Sequence, residues 1–137
     1  MTIPARRILI ADDSSTQRQM MRALIESWDP TAIIEMAGCG SSCLDVLCKR
    51  SFDLAFIDVH MPGMSGLEVC GRASMEGRPP FIVIVSAEAR PVMVDIARKL
   101  KVADYLPKPV DAVELKRVLE LYDKTRRTMQ ALVIDDS

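Results

Sequence analysis

An α/β fold, built as a parallel sheet wound with helices on both faces, is predicted by two observations. Short apolar runs alternate with segments of helical periodicity along most of the 137 residues. That alternation is the pattern of strands joined by crossover helices. The polar residues Asp12 and Asp13, Asp58, Ser86 and Lys108 each stand at or just after the end of an apolar run. In open parallel sheets ligand chemistry gathers at the carboxyl ends of the strands, so these residues are predicted to share one edge.

Ile8-Leu9-Ile10-Ala11 is the first strand, stopped by two aspartates. Ser14 and Ser15 offer caps for the helix that follows, in which Met20, Met21, Leu24, Ile25 and Trp28 recur at helical spacing. Asp29-Pro30 ends it. Ala32 to Ala37 reads as the second strand. Gly40-Ser41-Ser42 opens a second helix with Cys43, Leu44, Leu47 and Cys48 facing inward. Leu54 to Ile57 is a third buried strand, ending at Asp58, and Met61-Pro62-Gly63-Met64 is a turn before a short helix capped by Ser65. Phe81 to Val85 is β-branched and continuous, as in a strand covered on both faces. A fourth helix is predicted near 90–100, a fifth strand over Val102 to Leu106, and a last helix capped by Asp111 with Leu115, Val118, Leu119 and Tyr122 on one face.

The length suits one domain with a real core. With 18 basic and 19 acidic residues the net charge is −1, so there is no basic field for direct nucleic-acid binding. No apolar run approaches the ~18 residues of a membrane span, and Met1 to Arg7 has no apolar signal core. A cytoplasmic protein that does not enter the membrane is expected. Cys39, Cys43, Cys48 and Cys70 lack CxxC spacing and have no histidine nearby, so they read as reduced thiols rather than metal ligands.

Carboxylates converging on one edge repel one another unless compensated. A hard divalent cation offers that compensation, and magnesium takes one or two protein carboxylates together with water and phosphate oxygens. Asp13 and Asp58 are candidate direct ligands, with Asp12 acting through water. Asp58 is then a nucleophile for a phosphoryl group. Lys108 supplies positive charge for the phosphoryl oxygens, the Ser86 hydroxyl donates a further hydrogen bond, and N–H groups after Asp58 complete the cradle.

These residues resemble the receiver domain of two-component response regulators. The matching pieces are Ile8 to Ser14, Phe52 to Gly66, Val85-Ser86-Ala87 and Ala103 to Pro109. The resemblance implies a flavodoxin-like (βα)5 doubly wound parallel sheet with strand order 2-1-3-4-5. It implies magnesium-dependent phosphorylation of Asp58 by a histidine kinase or phosphotransfer protein, with the metal held by Asp12, Asp13, Asp58 and the backbone carbonyl of His60. Ser86 and Tyr105 are the implied switch residues, read out on the face of the fourth helix, fifth strand and fifth helix. Lys108-Pro109 is the implied cis peptide. Ser86 stands where threonine is commoner, and Ser65 where aspartate is; each keeps the needed oxygen.

The implied domain spans 6–124, followed by a linker at 125–130. Ala131-Leu132-Val133-Ile134-Asp135-Asp136-Ser137 repeats the pattern of Ile8 to Ser14, so 131–137 reads as the truncated first strand of a second receiver, with C-terminal domains absent from this chain. The function expected is a signalling switch and not an enzyme in its own right. A phosphohydrolase using an aspartyl phosphate would carry a second acid where His60 stands, and a docking module without phosphorylation would not need the full acidic set. Charges of both signs at Arg98, Lys99, Lys101, Asp104, Arg117 and Glu120 leave a homodimer or a protein partner open.

Overall fold

Continuous apolar strands need cover on both faces, and the sheet has it. The computed structural model describes residues 5–73, 80–87, 95, 98–100 and 102–135. Five parallel strands, β1 (Arg7–Ala11), β2 (Ile33–Ala37), β3 (Leu54–Asp58), β4 (Phe81–Ser86) and β5 (Asp104–Pro107), lie in the order β2-β1-β3-β4-β5. The described helices are α1 (Ser15–Trp28), α2 (Gly40–Lys49), α3 (Gly66–Ala73) and α4 (Ala112–Asp135). The helix expected near 90–100 lies largely outside the described residues, so α4 is the one expected fifth. This is the flavodoxin-like doubly wound sheet.

Side chains alternate between the two faces of each strand. Ile8, Ile10, Phe56 and Val83 pack with Met21 and Ile25 of α1 and with Leu115, Val118, Leu119 and Tyr122 of α4. Leu9, Ala11, Ile57 and Ile84 pack with Cys43 of α2 and with Val69 and Cys70 of α3. The register then sets the functional edge. Ala11 pairs with Ile57, Asp58 with Val85, and Ser86 with Pro107.

The helix starts follow the local chemistry. Ser14 Oγ accepts from the Gln17 N–H at 3.3 Å, Ser65 Oγ from Glu68 at 3.2 Å, and Asp111 Oδ1 from Val113 at 2.8 Å. These bonds satisfy amides that have no partner inside the helix. Three expectations change. Cys48 is exposed, and Val46 packs toward the core in its place. The fifth strand begins at Asp104 rather than Val102, because Ala103 still bonds Ile82 as part of the approach to the sheet. Residues 131–135 are the end of α4 and not a strand. A lone strand has no ladder to join, whereas each residue added to a formed helix gains a hydrogen bond.

Arg6 ties the start of β1 to two helices. Its Nη1 donates to Asp29 at 2.7 Å and its Nη2 to Asp123 of α4 at 2.6 Å. The guanidinium lies 4.6 Å from the centroid of the Trp28 ring, within cation–π range. Burial raises the Asp29 pKa, but hydrogen bonds from Thr31 and Arg6 outweigh it and hold the carboxyl below its ordinary value. The stability from Asp29 is therefore present above the ordinary carboxylate range and is lost as pH falls through the lowered native value. Arg6→Met is expected to cost about 1–2 kcal/mol at neutral pH, with the gap to wild type narrowing in acid. Urea unfolding of both proteins at pH 7 and pH 3 measures this.

Candidate functional site

The turn from β1 into α1 carries Asp12 and Asp13, the first buried and the second exposed. The Asp12 N–H donates to the Ala37 carbonyl at 3.0 Å, and Asp12 Oδ1 accepts from the Ser14 N–H at 2.9 Å. Asp58 is the last residue of β3 and only 3% exposed. One carboxylate oxygen from each of Asp12, Asp13 and Asp58 can be chosen so that all three lie within 4.8 Å of one another.

Lys108, just past β5, compensates the crowding. Its Nζ lies 2.9 Å from Asp12 Oδ2 and 3.1 Å from Asp58 Oδ2. The Lys108–Pro109 peptide is cis, as expected. Burial raises the Asp58 pKa and the Asp12 charge adds to it; the Lys108 hydrogen bond and charge and the His60 N–H lower it, and the balance lies above the ordinary carboxylate value. Burial disfavours the Lys108 ammonium, yet Asp12 and Asp58 outweigh it and raise the pKa.

Ser86 is fully buried at the end of β4. Its carbonyl accepts from the Lys108 N–H at 2.9 Å and from the Tyr105 hydroxyl at 3.0 Å. Tyr105 is half-buried, packed against the α2–α3 side of the core. One carbonyl thus joins three of the singled-out residues. His60 is exposed, and its N–H donates to Asp58 Oδ1 at 3.3 Å. The glycine at the start of α3 is required by packing: a Cβ on Gly66 would overlap the Asp58 carbonyl.

The donor set fits a small hard divalent cation, because all three side chains offer carboxylate oxygens. Asp13 is the open member. Among the described residues its carboxylate takes no hydrogen bond or ion pair. Two cations were missed by the sequence reading: Arg6, and Arg18, whose Nη1 donates to the Asp12 carbonyl at 2.6 Å. The only sequence signal for Arg18 is its spacing, one turn into the helix that follows the acidic pair. Some of the charges expected to meet partners are satisfied within the chain. Arg117 bonds both Asp104 at 3.1 Å and Glu114 at 3.2 Å. No helix among the described residues is long and apolar enough to cross a membrane.

Fold and site together define an α/β domain with an acidic pocket, bridged by a lysine, at the carboxyl edge of its sheet. The profile of the response regulator receiver domain matches residues 8–120. The chain belongs to that family, the receivers of two-component signalling. Chemotaxis protein CheY-3 of Vibrio cholerae is 33% identical over 116 residues, which cover 83% of this chain and 88% of that protein. Transcriptional regulatory protein BtsR of Salmonella typhi is 24% identical over 131 residues, 96% of this chain and 54% of BtsR, so the chain spans about half of BtsR's length. Among solved structures, the REC domain of the response regulator AraT from Geobacillus stearothermophilus superposes with a TM-score of 0.83 at 25% identity, covering 93% of this chain and 99% of that one.

Proposed function

We propose that this receiver is a phosphorylation-activated switch whose acceptor is Asp58, and that the donor is a histidine kinase or phosphotransfer protein. The observation that carries the reading is the Lys108 ammonium, set 2.9 Å from Asp12 and 3.1 Å from Asp58, the two buried members of the acidic cluster. A carboxylate oxygen of Asp58 forms the bond to phosphorus as the P–N bond to the donor histidine breaks, and the imidazole leaves. Phosphoryl transfer asks little beyond alignment and charge stabilisation. Lys108 pairs with the phosphoryl oxygens, the Ser86 hydroxyl donates to one of them, and backbone N–H groups after Asp58 complete the cradle. Asp13, Asp58 and the His60 carbonyl, with Asp12 through water, would hold a magnesium ion, which supplies charge neutralisation for the transferring group.

The catalytic part of this function is limited to the domain's own phosphorylation and dephosphorylation. Readout runs through Ser86 and Tyr105 to the surface of β5, α4 and the segment near 90–100, which meets a partner protein or a second copy of the chain. The domain spans 6–124 and works in the cytoplasm. Residues 125–130 would link it to a second receiver-like domain. The repeat of the Ile8 to Ser14 pattern at 131–137, helical through Asp135 in this chain, would become the first strand of that domain only where the rest of its sheet is present to pair with it. A full-length sequence that ends at Ser137 would overturn that last point.

Beryllofluoride, a phosphoryl analogue, added with magnesium is expected to shift the amide resonances of Asp58 to His60, Ser86 and Tyr105. An unchanged spectrum would leave a protein-docking domain that is never phosphorylated.

A further inference from the structure

Arg18 stands one turn into α1 and sends its guanidinium back across the β1–α1 junction. Nη1 donates to the main-chain carbonyl of Asp12 at 2.6 Å. The same nitrogen lies against the chain leaving β2: a Cβ on Gly38 would come within 3.3 Å of Nη1 and 3.9 Å of Cζ. The guanidinium therefore fills the gap between two loops at the functional edge, and the glycine leaves room for it.

Asp12 is held at every polar group. Its N–H donates to Ala37, its carbonyl accepts from Arg18, and its carboxylate takes Ser14 and Lys108. Asp13 is not held in this way. The carbonyl that Arg18 grips belongs to the peptide joining Asp12 to Asp13, and a planar peptide turns as one unit. Rotating that peptide swings the Asp13 Cα and, with it, the carboxylate. Since that carboxylate is exposed and takes no bond of its own among the described residues, only the backbone limits the region its rotamers can reach.

We propose that Arg18 is a positioning residue for the acidic cluster: by bonding the Asp12 carbonyl from the gap beside Gly38, it fixes the backbone position from which the Asp13 carboxylate reaches a divalent cation. This rests on the reading of the pocket as a cation-dependent phosphoryl-acceptor site. Position and charge oppose each other here. Removing a nearby cation would by charge alone strengthen binding of a divalent ion to three carboxylates; removing a positioning bond weakens it.

The test compares wild type with Arg18→Met and Gly38→Ala. The second variant keeps the charge and presses the guanidinium by a few tenths of an ångström against the bond it makes. Two quantities are read: the amide ¹⁵N shift of Asp13 in metal-free protein, and magnesium affinity by titration. Arg18→Met is expected to move the Asp13 resonance and to weaken magnesium binding about tenfold. Gly38→Ala is expected to act in the same direction, by about threefold. Tighter or unchanged magnesium binding in Arg18→Met, with Asp13 unmoved in both variants, would overturn the proposal. If Arg18→Met does not fold, Gly38→Ala decides by the same readings. If wild type itself binds no magnesium, the phosphoryl-acceptor reading fails instead, and the Asp13 shift still reports whether Arg18 sets that residue.

Discussion

Asp58→Asn is expected to abolish beryllofluoride uptake and phosphorylation while raising the melting temperature of the metal-free protein. Both effects come from one carboxylate. The proposed reaction needs a nucleophilic oxygen at the end of β3, and an amide is not a nucleophile toward phosphorus at neutral pH. The same carboxylate is 3% exposed, and burial, with the Asp12 charge behind it, raises its pKa despite the opposing Lys108 contact. An acid whose native pKa lies above its unfolded value binds more protons when folded. It therefore costs stability as pH rises from the ordinary carboxylate range through the raised native value. The amide removes that cost and can still accept from Lys108. A gain on the order of 1 kcal/mol corresponds to about 4 °C, present at pH 7 and shrinking toward pH 4. Calorimetry across that range, beside beryllofluoride titration, measures both. An Asn variant that still binds the analogue would remove Asp58 as the acceptor.

Lys108→Met is expected to move three observables in different directions. The ammonium bridges Asp12 and Asp58, whose side chains are 7% and 4% exposed. Removing one partner of a buried ionic group leaves the others uncompensated, at a cost of about 2–3 kcal/mol at neutral pH. That loss is recovered as pH falls and the carboxylates protonate. The Lys108 contribution in wild type has the opposite pH sense. Its native pKa is raised, so the stability it adds is complete below the ordinary lysine value and fades as pH climbs through the raised one. Magnesium, meeting the same carboxylates without a competing cation, is expected to bind more tightly to the variant. Beryllofluoride is expected to bind more weakly, since its fluorines lose the positive charge that would pair with phosphoryl oxygens. Weaker binding of both ligands would mean that Lys108 serves mainly to hold the pocket together.

The sheet and its edge were legible in the sequence because they depend on short-range patterns. Leu54 to Ile57 and Phe81 to Val85 are apolar without a break, and only a strand covered on both faces tolerates that. The caps at Ser14, Ser65 and Asp111 lie within three residues of the amides they satisfy. Asp12, Asp13, Asp58 and Lys108 stand together because parallel strands carry their ends to the same edge. Cys48 was placed on the wrong face of α2 for a related reason. A ten-residue amphipathic helix constrains its apolar stripe only to within one residue.

The sequence by itself determined a receiver built around an acidic edge, with its helix starts and its cis peptide. The tertiary structure alone decided which side chains cross between elements. Arg6 reaches Asp123 over 117 residues of chain, and the Tyr105 hydroxyl finds the Ser86 carbonyl on the neighbouring strand. Arg18 turns back to a main-chain carbonyl instead of facing solvent. No periodicity encodes such contacts. A long polar side chain bonds whatever packing brings within ~3 Å of its tip, and that geometry exists only after the helices have docked on the sheet.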